Sequence, residues 1–198
     1  MNRVLSLLLM VVFFSNLVGN AITPLLSNYV LTIGGKVSDA GIAYAILTWV
    51  AAITLIVSPK IKKRYQISDK TFLYVSYLAS VLAPVWYLYL TSIEQFYIMQ
   101  ALLAIFGAMS IPVTFKWYQL FLKDSFATRG WGMHKAMIAL SSGIASVIAS
   151  HLIVNTSYKH VFYFTLGSAI VAVLILMVTM HFYYADTPQG DLALKGER

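Results

Sequence analysis

Six apolar runs, each about as long as a bilayer is thick, leave this chain little choice of fold. They cover residues 4–31, 41–57, 71–91, 93–115, 133–154 and 161–184. A helix of about 20 residues crosses a hydrocarbon core of about 30 Å. Inside that core no water is present to bond N–H and C=O groups, so a span satisfies them internally, as a helix does. Composition agrees: 60% of the residues are hydrophobic and 11% charged, against about 25% charged in soluble domains. The expected class is an all-α membrane protein with six transmembrane helices. The run at 41–57 is the shortest and is expected to borrow residues from its flanks. The first run follows Asn2 and Arg3, which raises the alternative of a secretory signal. It exceeds the usual apolar core of about 7–15 residues, and "GNA" is a poor cleavage site, so it is read as a retained helix. The six-helix domain is expected over 1–184, with a polar cytoplasmic tail over 185–198.

Charge supplies the orientation. If the runs alternate in direction, every Lys and Arg except Lys36 and Lys159 falls on one side of the membrane. Cytoplasmic loops carry the excess of Lys and Arg, so both termini are expected in the cytoplasm of a multi-pass cell-membrane protein. The net charge of +7 then reflects topology and contact with anionic lipid; no nucleic-acid partner is implied. The chain has no cysteine, which excludes disulfides and thiolate metal sites. "NTS" at Asn155 matches a glycosylation pattern on the outer side, but a three-residue match carries little.

Polar residues interrupt the apolar runs in a pattern. In the first run Asn16, Asn20, Thr23 and Ser27 are spaced four, three and four, one face of a helix. In the fourth, Gln100, Gly107, Ser110 and Thr114 make a second such face. Each run also holds a Gly five residues before a Pro, "GNAITP" and "GAMSIP". Matched Gly/Pro interruptions in two halves point to a transporter binding site. The competing reading is hydrogen bonding between helices, about 0.6 kcal/mol per contact. Trp49, well inside the second run, is the tryptophan expected to reach a cavity there. In the fifth run Ala139, Gly143, Ser146 and Ser150 form a small-residue stripe expected to pack closely against a neighbour. The sixth run is apolar nearly all round and reads as lipid-facing.

The acidic residues Asp39, Asp69, Glu94, Asp124, Asp186, Asp191 and Glu197 all lie in loops or at helix ends. No carboxylate is placed at mid-membrane, where proton-driven carriers commonly hold one. His151 is the possible titrating group. His134 beside Lys135 reads as an inner-interface pair. No enzyme motif and no metal or cofactor signature occurs.

Beyond these readings, the chain resembles the N-terminal six-helix half of the major facilitator superfamily, over residues 5 to about 184. Gln100 stands twelve residues before Pro112, where the family has Arg. Arg129-Gly130 matches the "RG" that opens helix five, with Gly143 fourteen residues after the Arg. In "TLIVSPKIKKR" the basic end of the family's gating loop is kept as Lys62, Lys63 and Arg64, while Thr54, Ser58 and Ile61 replace its first Gly, its Asp and its second Gly. The resemblance implies a bundle of 3+3 inverted repeats and transport of a small-molecule solute. It implies a gating loop of Lys62, Lys63, Arg64 and Arg129; the two polar stripes and Trp49 by themselves lead to the expectation of a water-accessible cavity lined by Asn16, Asn20, Thr23, Ser27, Trp49, Gln100, Ser110 and Thr114. Gln100 in place of Arg, and the missing Asp, argue against the family's Arg-dependent coupling and charge relay. Family members typically have twelve helices; six imply a homodimer, a partner half, or an inactive truncated half. The expected functions are export by a homodimer or paired half and, as the alternative, a non-transporting scaffold.

Overall fold

The computed structural model describes residues 3–122 and 126–186. Lys123, Asp124 and positions 187–198 of the expected tail lie outside the described residues. The elements are α1 (Arg3–Asn20), a 3-10 turn (Thr23–Leu25), α2 (Leu26–Thr32), α3 (Val37–Arg64), α4 (Asp69–Leu88), α5 (Ile93–Leu120), α6 (Ala127–Asn155) and α7 (Tyr158–Asp186). Taken together, α1 and α2 make one span, and α3 to α7 make five more, each long and apolar enough to cross a bilayer. Among the described residues there is no strand.

Local chemistry sets the ends. Pro24 has no N–H to give the Asn20 carbonyl, and α1 stops at Asn20. A 3-10 turn with Pro inside it follows before α2 begins. The helix α3 takes residues from both flanks, reaching 28 residues. At its start the Lys36 N–H donates to Asp39 Oδ2 at 2.7 Å, and its last turn holds Lys62, Lys63 and Arg64, favoured beside the carbonyl end of a helix. Ser68 caps α4 and Ser92 caps α5, each hydroxyl accepting from an N–H three residues on. Gly34, at φ +83°, turns the chain from α2 into α3.

The five most extensive neighbour relations form a series: α3 packs on α5, α5 on α4, α4 on α7, α7 on α1, and α1 on α6; α2 also touches α3, and α6 touches α7, less extensively. Exchanging the first span with α5, α3 with α6, and α4 with α7 turns this series into itself. That is the pattern of 3+3 inverted repeats. Two cores result. One, at the end carrying the N-terminus, gathers Leu8, Phe72, Leu73, Trp117 and Leu176. The other, at the far end, gathers Tyr29, Phe96, Ala145, Ala149 and Phe162. Lipid tails are as apolar as these side chains, so close packing and hydrogen bonds, not removal from water, hold the helices together.

Within the six-helix unit, two faces differ from expectation. The small residues of α6 that pack inside the bundle are Ser141, Ala145 and Ala149, all fully buried; Ala139, Gly143 and Ser150 face outward. And α7 is not chiefly lipid-facing. It packs on α1, α4 and α6, burying Thr165 and Thr179, whose hydroxyls donate to the Phe162 and Ile175 carbonyls. The most exposed span is α3, with only Ala40, Ala43 and Ser58 buried.

Candidate functional site

A cavity of about 380 Å³ lies between the two cores, walled by the first span, α3, α4, α5 and α7. Asn16, Thr23, Gln100 and Ser110 line it. The Gln100 amide, buried, donates to the Tyr87 hydroxyl at 3.2 Å, and Ser110 donates to the Gly107 carbonyl at 2.8 Å. Asn16 donates to the Val12 carbonyl at 2.8 Å, which leaves its own side-chain oxygen to accept from Asn20 at 3.4 Å. None of the lining side chains is a carboxylate, ammonium, guanidinium or imidazole. The polar surface is amide and hydroxyl, able both to donate and to accept.

Asn20, Ser27, Trp49 and Thr114 are placed elsewhere. The Asn20 amide donates back to the Asn16 carbonyl at 2.9 Å. Ser27 is exposed, because an even four-three-four stripe assumes one continuous helix and the break at Pro24 ends that register. Trp49 is 70% exposed; Tyr44 and Leu47 carry the cavity face of α3, and at 100° per residue Trp49 falls on the opposite side. Thr114 is buried behind the wall, beside the Tyr77 hydroxyl. His151 is exposed near the far end of α6, its ring 3.2 Å from the Asn155 amide. Of the two Gly/Pro segments, both glycines, Gly19 and Gly107, face the cavity, and a Cβ at either would meet nothing within 4 Å.

The wall residues that sequence reading missed come mainly from α4. Tyr77, Ser80, Pro84 and Tyr87 step three, four and three along it and all line the cavity. The stripe was visible in the sequence; tyrosine, at home in packing as well as in sites, hid it. Thr165 of α7 lines the cavity too, from a run with no readable periodicity.

The basic loop is organised around a residue outside the motif. Asp69, in the first turn of α4, pairs with Lys62 at 2.7 Å and with Lys116 of α5 at 3.2 Å. It also accepts from the Trp117 indole at 3.2 Å, and Trp117 stacks on Tyr183 of α7, ring centres 4.2 Å apart. One carboxylate thus ties α3, α4 and α5, and through Trp117 reaches α7. Lys63 and Arg64 point outward. The Arg129 guanidinium lies over the Phe126 ring at 5.4 Å. Beside it Gly130 is overlain by the Leu122 side chain, which leaves no room for a Cβ, and its carbonyl accepts from the Tyr118 hydroxyl.

The family model described as Major Facilitator Superfamily matches residues 8–197. The chain belongs to the major facilitator superfamily. No curated protein and no solved structure matches it. Major facilitator proteins are transporters of small solutes across membranes, so this is a multi-pass membrane protein of a transport family. In this superfamily member the Asp that the gating-loop motif would supply stands as Ser58, which is buried; the ion-paired carboxylate comes from Asp69, eleven residues on.

Proposed function

We propose that this chain exports a small uncharged or amphipathic cationic solute, bound in the cavity between its two cores, and that it works with a second six-helix unit. The observation that carries the reading is the neutral polar lining: amides from Asn16 and Gln100, hydroxyls from three further helices, and no fixed charge. A concave, largely apolar site with a few convergent polar groups is how small ligands are held. Without a carboxylate, the cavity cannot favour a small hydrated cation over a neutral solute. Tyr44, Tyr77 and Tyr87 offer ring faces to a cation that brings its own apolar body. Outward movement fits such a solute, because an amphipathic molecule enters through lipid unaided and only its removal needs a carrier. The segregation of Lys and Arg supports termini in the cytoplasm, with Lys62, Lys63, Arg64 and Arg129 at the gating end.

The second unit is proposed to meet the side away from α4 and α7. At one end of the helix series, α6 presents Ala139, Gly143 and Val147 on an exposed apolar face, and small residues let helix backbones approach closely. The experiment uses the absence of cysteine. Single Cys at Thr23 and Ser110 should react with a water-soluble maleimide, and the solute exported by cells carrying this chain should slow both reactions. Cys at Leu17, buried in the far core, should stay protected. Protection at Thr23 and Ser110 as complete as at Leu17 removes the cavity reading and leaves the scaffold alternative.

A further inference from the structure

We infer that the outward face of α3 is a binding site for an anionic phospholipid, with its acyl chain along Trp49, Ile53 and Ile56 and its phosphate at Lys60, Lys63 and Arg64. This inference does not depend on the transport reading.

Those residues share one face. Steps of four, three and four, then three to Lys63 and four to Arg64, keep all of them within a narrow arc of an α-helix. The apolar three are among the most exposed large side chains of the span, at 70%, 62% and 65%, and the three cations are exposed. The face lies opposite Tyr44 and Leu47, which look into the cavity, and opposite Ala40 and Ser58, which are buried. It therefore points outward from the bundle, apolar through the membrane and positive where the helix ends.

Charge selects the occupant. Asp69 engages Lys62 and Lys116. Asp69 is the acid of the described ion pairs, and among the described residues no ion pair engages Lys60, Lys63 or Arg64. Tyr65, 66% exposed and under the Arg64 guanidinium at 5.8 Å, sits where amphipathic rings gather at a bilayer surface. A second copy is a poor occupant: a parallel two-fold pair through this face would bring three cations against three. A neutral lipid would fill the apolar part and leave the charges unmatched. A lipid with a net negative headgroup satisfies both.

The test titrates phosphatidylglycerol and phosphatidylcholine into the full chain in mild detergent, counting bound lipid by native mass spectrometry. Each cation near an anionic headgroup is worth about fivefold in binding. The Lys60→Gln, Lys63→Gln, Arg64→Gln triple variant should therefore lose roughly a hundredfold for phosphatidylglycerol and nothing for phosphatidylcholine. Lys60→Arg with Lys63→Arg should retain binding, which separates charge from misfolding. Lys36→Gln with Lys159→Gln, at the far end, should behave as wild type. Trp49→Ala with Ile56→Ala should weaken phosphatidylglycerol but not glycerol 3-phosphate. The inference is overturned by unchanged phosphatidylglycerol binding in the triple variant or by equal binding of the two lipids. It is equally overturned if glycerol 3-phosphate competes on level terms, or if Trp49→Cys chains crosslink to one another.

Discussion

Residues 19–24 and 107–112 carry Gly and Pro at the same spacing, yet the first segment breaks its span and the second does not. Past Asn20 the chain leaves the α-helix, passes through a 3-10 turn and restarts at Leu26. Through Pro112, α5 continues from Ile93 to Leu120. Both prolines remove one helix donor, so the difference lies in the neighbours. The helix α5 is flanked by α3 and α4, and the Ser76 hydroxyl of α4 donates to the Phe106 carbonyl just before the proline segment. Beyond Pro24 the short α2 leans chiefly on α3. Within the break, side chains stand in for backbone donors: Thr23 gives its hydroxyl to the Gly19 carbonyl at 3.0 Å. A proline marks where a helix can yield; packing decides whether it does. What the two segments share is glycine, which in both opens wall space to the cavity.

The largest test of that contrast is Pro24→Ala against Pro112→Ala. Alanine favours helix over proline by about 3 kcal/mol. In the first span it should heal the break and slow amide exchange over residues 21–26 by about a hundredfold. In α5, already helical, exchange should change by no more than about threefold. Similar slowing at both sites would show that the two segments differ only by accident. Next in size, Gly19→Leu and Gly107→Leu should each obstruct the cavity while Gly→Ala at either is tolerated. Solute affinity should fall about tenfold for each leucine, near 1.4 kcal/mol, with span insertion kept. Leucine without effect at one glycine would remove that segment from the site. A smaller effect separates the lining residues from their stripe-mates. Gln100→Leu should weaken solute binding by about fivefold, the worth of one hydrogen bond near 1 kcal/mol, whereas Ser27→Leu should leave it unchanged. Equal losses would restore the continuous stripe that the break abolishes. The smallest is Tyr87→Phe, which deletes the acceptor of Gln100. About 0.6 kcal/mol of thermal stability should go with it, and a much larger loss would mean that Tyr87 bonds the solute as well.

The wall of the candidate cavity was half legible. Asn16, Thr23, Gln100 and Ser110 could be picked out because a polar side chain in hydrocarbon must turn toward a partner. Asn20 and Thr114 obey the same rule and found their partners along the helix or behind the wall, which spacing alone does not distinguish. Trp49 was misplaced because an indole at mid-span is equally at home facing a cavity or lipid. Asp69 was passed over because an acid at a helix start looks like an ordinary first-turn residue; only the approach of Lys62 and Lys116 makes it a tie.

For this protein the sequence by itself determined the six spans, because apolar length and the need to satisfy every backbone group leave no other structure in a bilayer. The motifs in their order determined the family. Which way each helix faces was decided only in three dimensions. In water a buried face announces itself as the apolar one, but in lipid both faces are apolar and the inward one differs only by fit. So α7, apolar all round, lays one face against α1, α4 and α6, α3 presents its broad hydrophobic face to the outside, and the stripe of α6 that packs within the unit is Ser141, Ala145 and Ala149, two residues round the helix from Ala139 and Gly143.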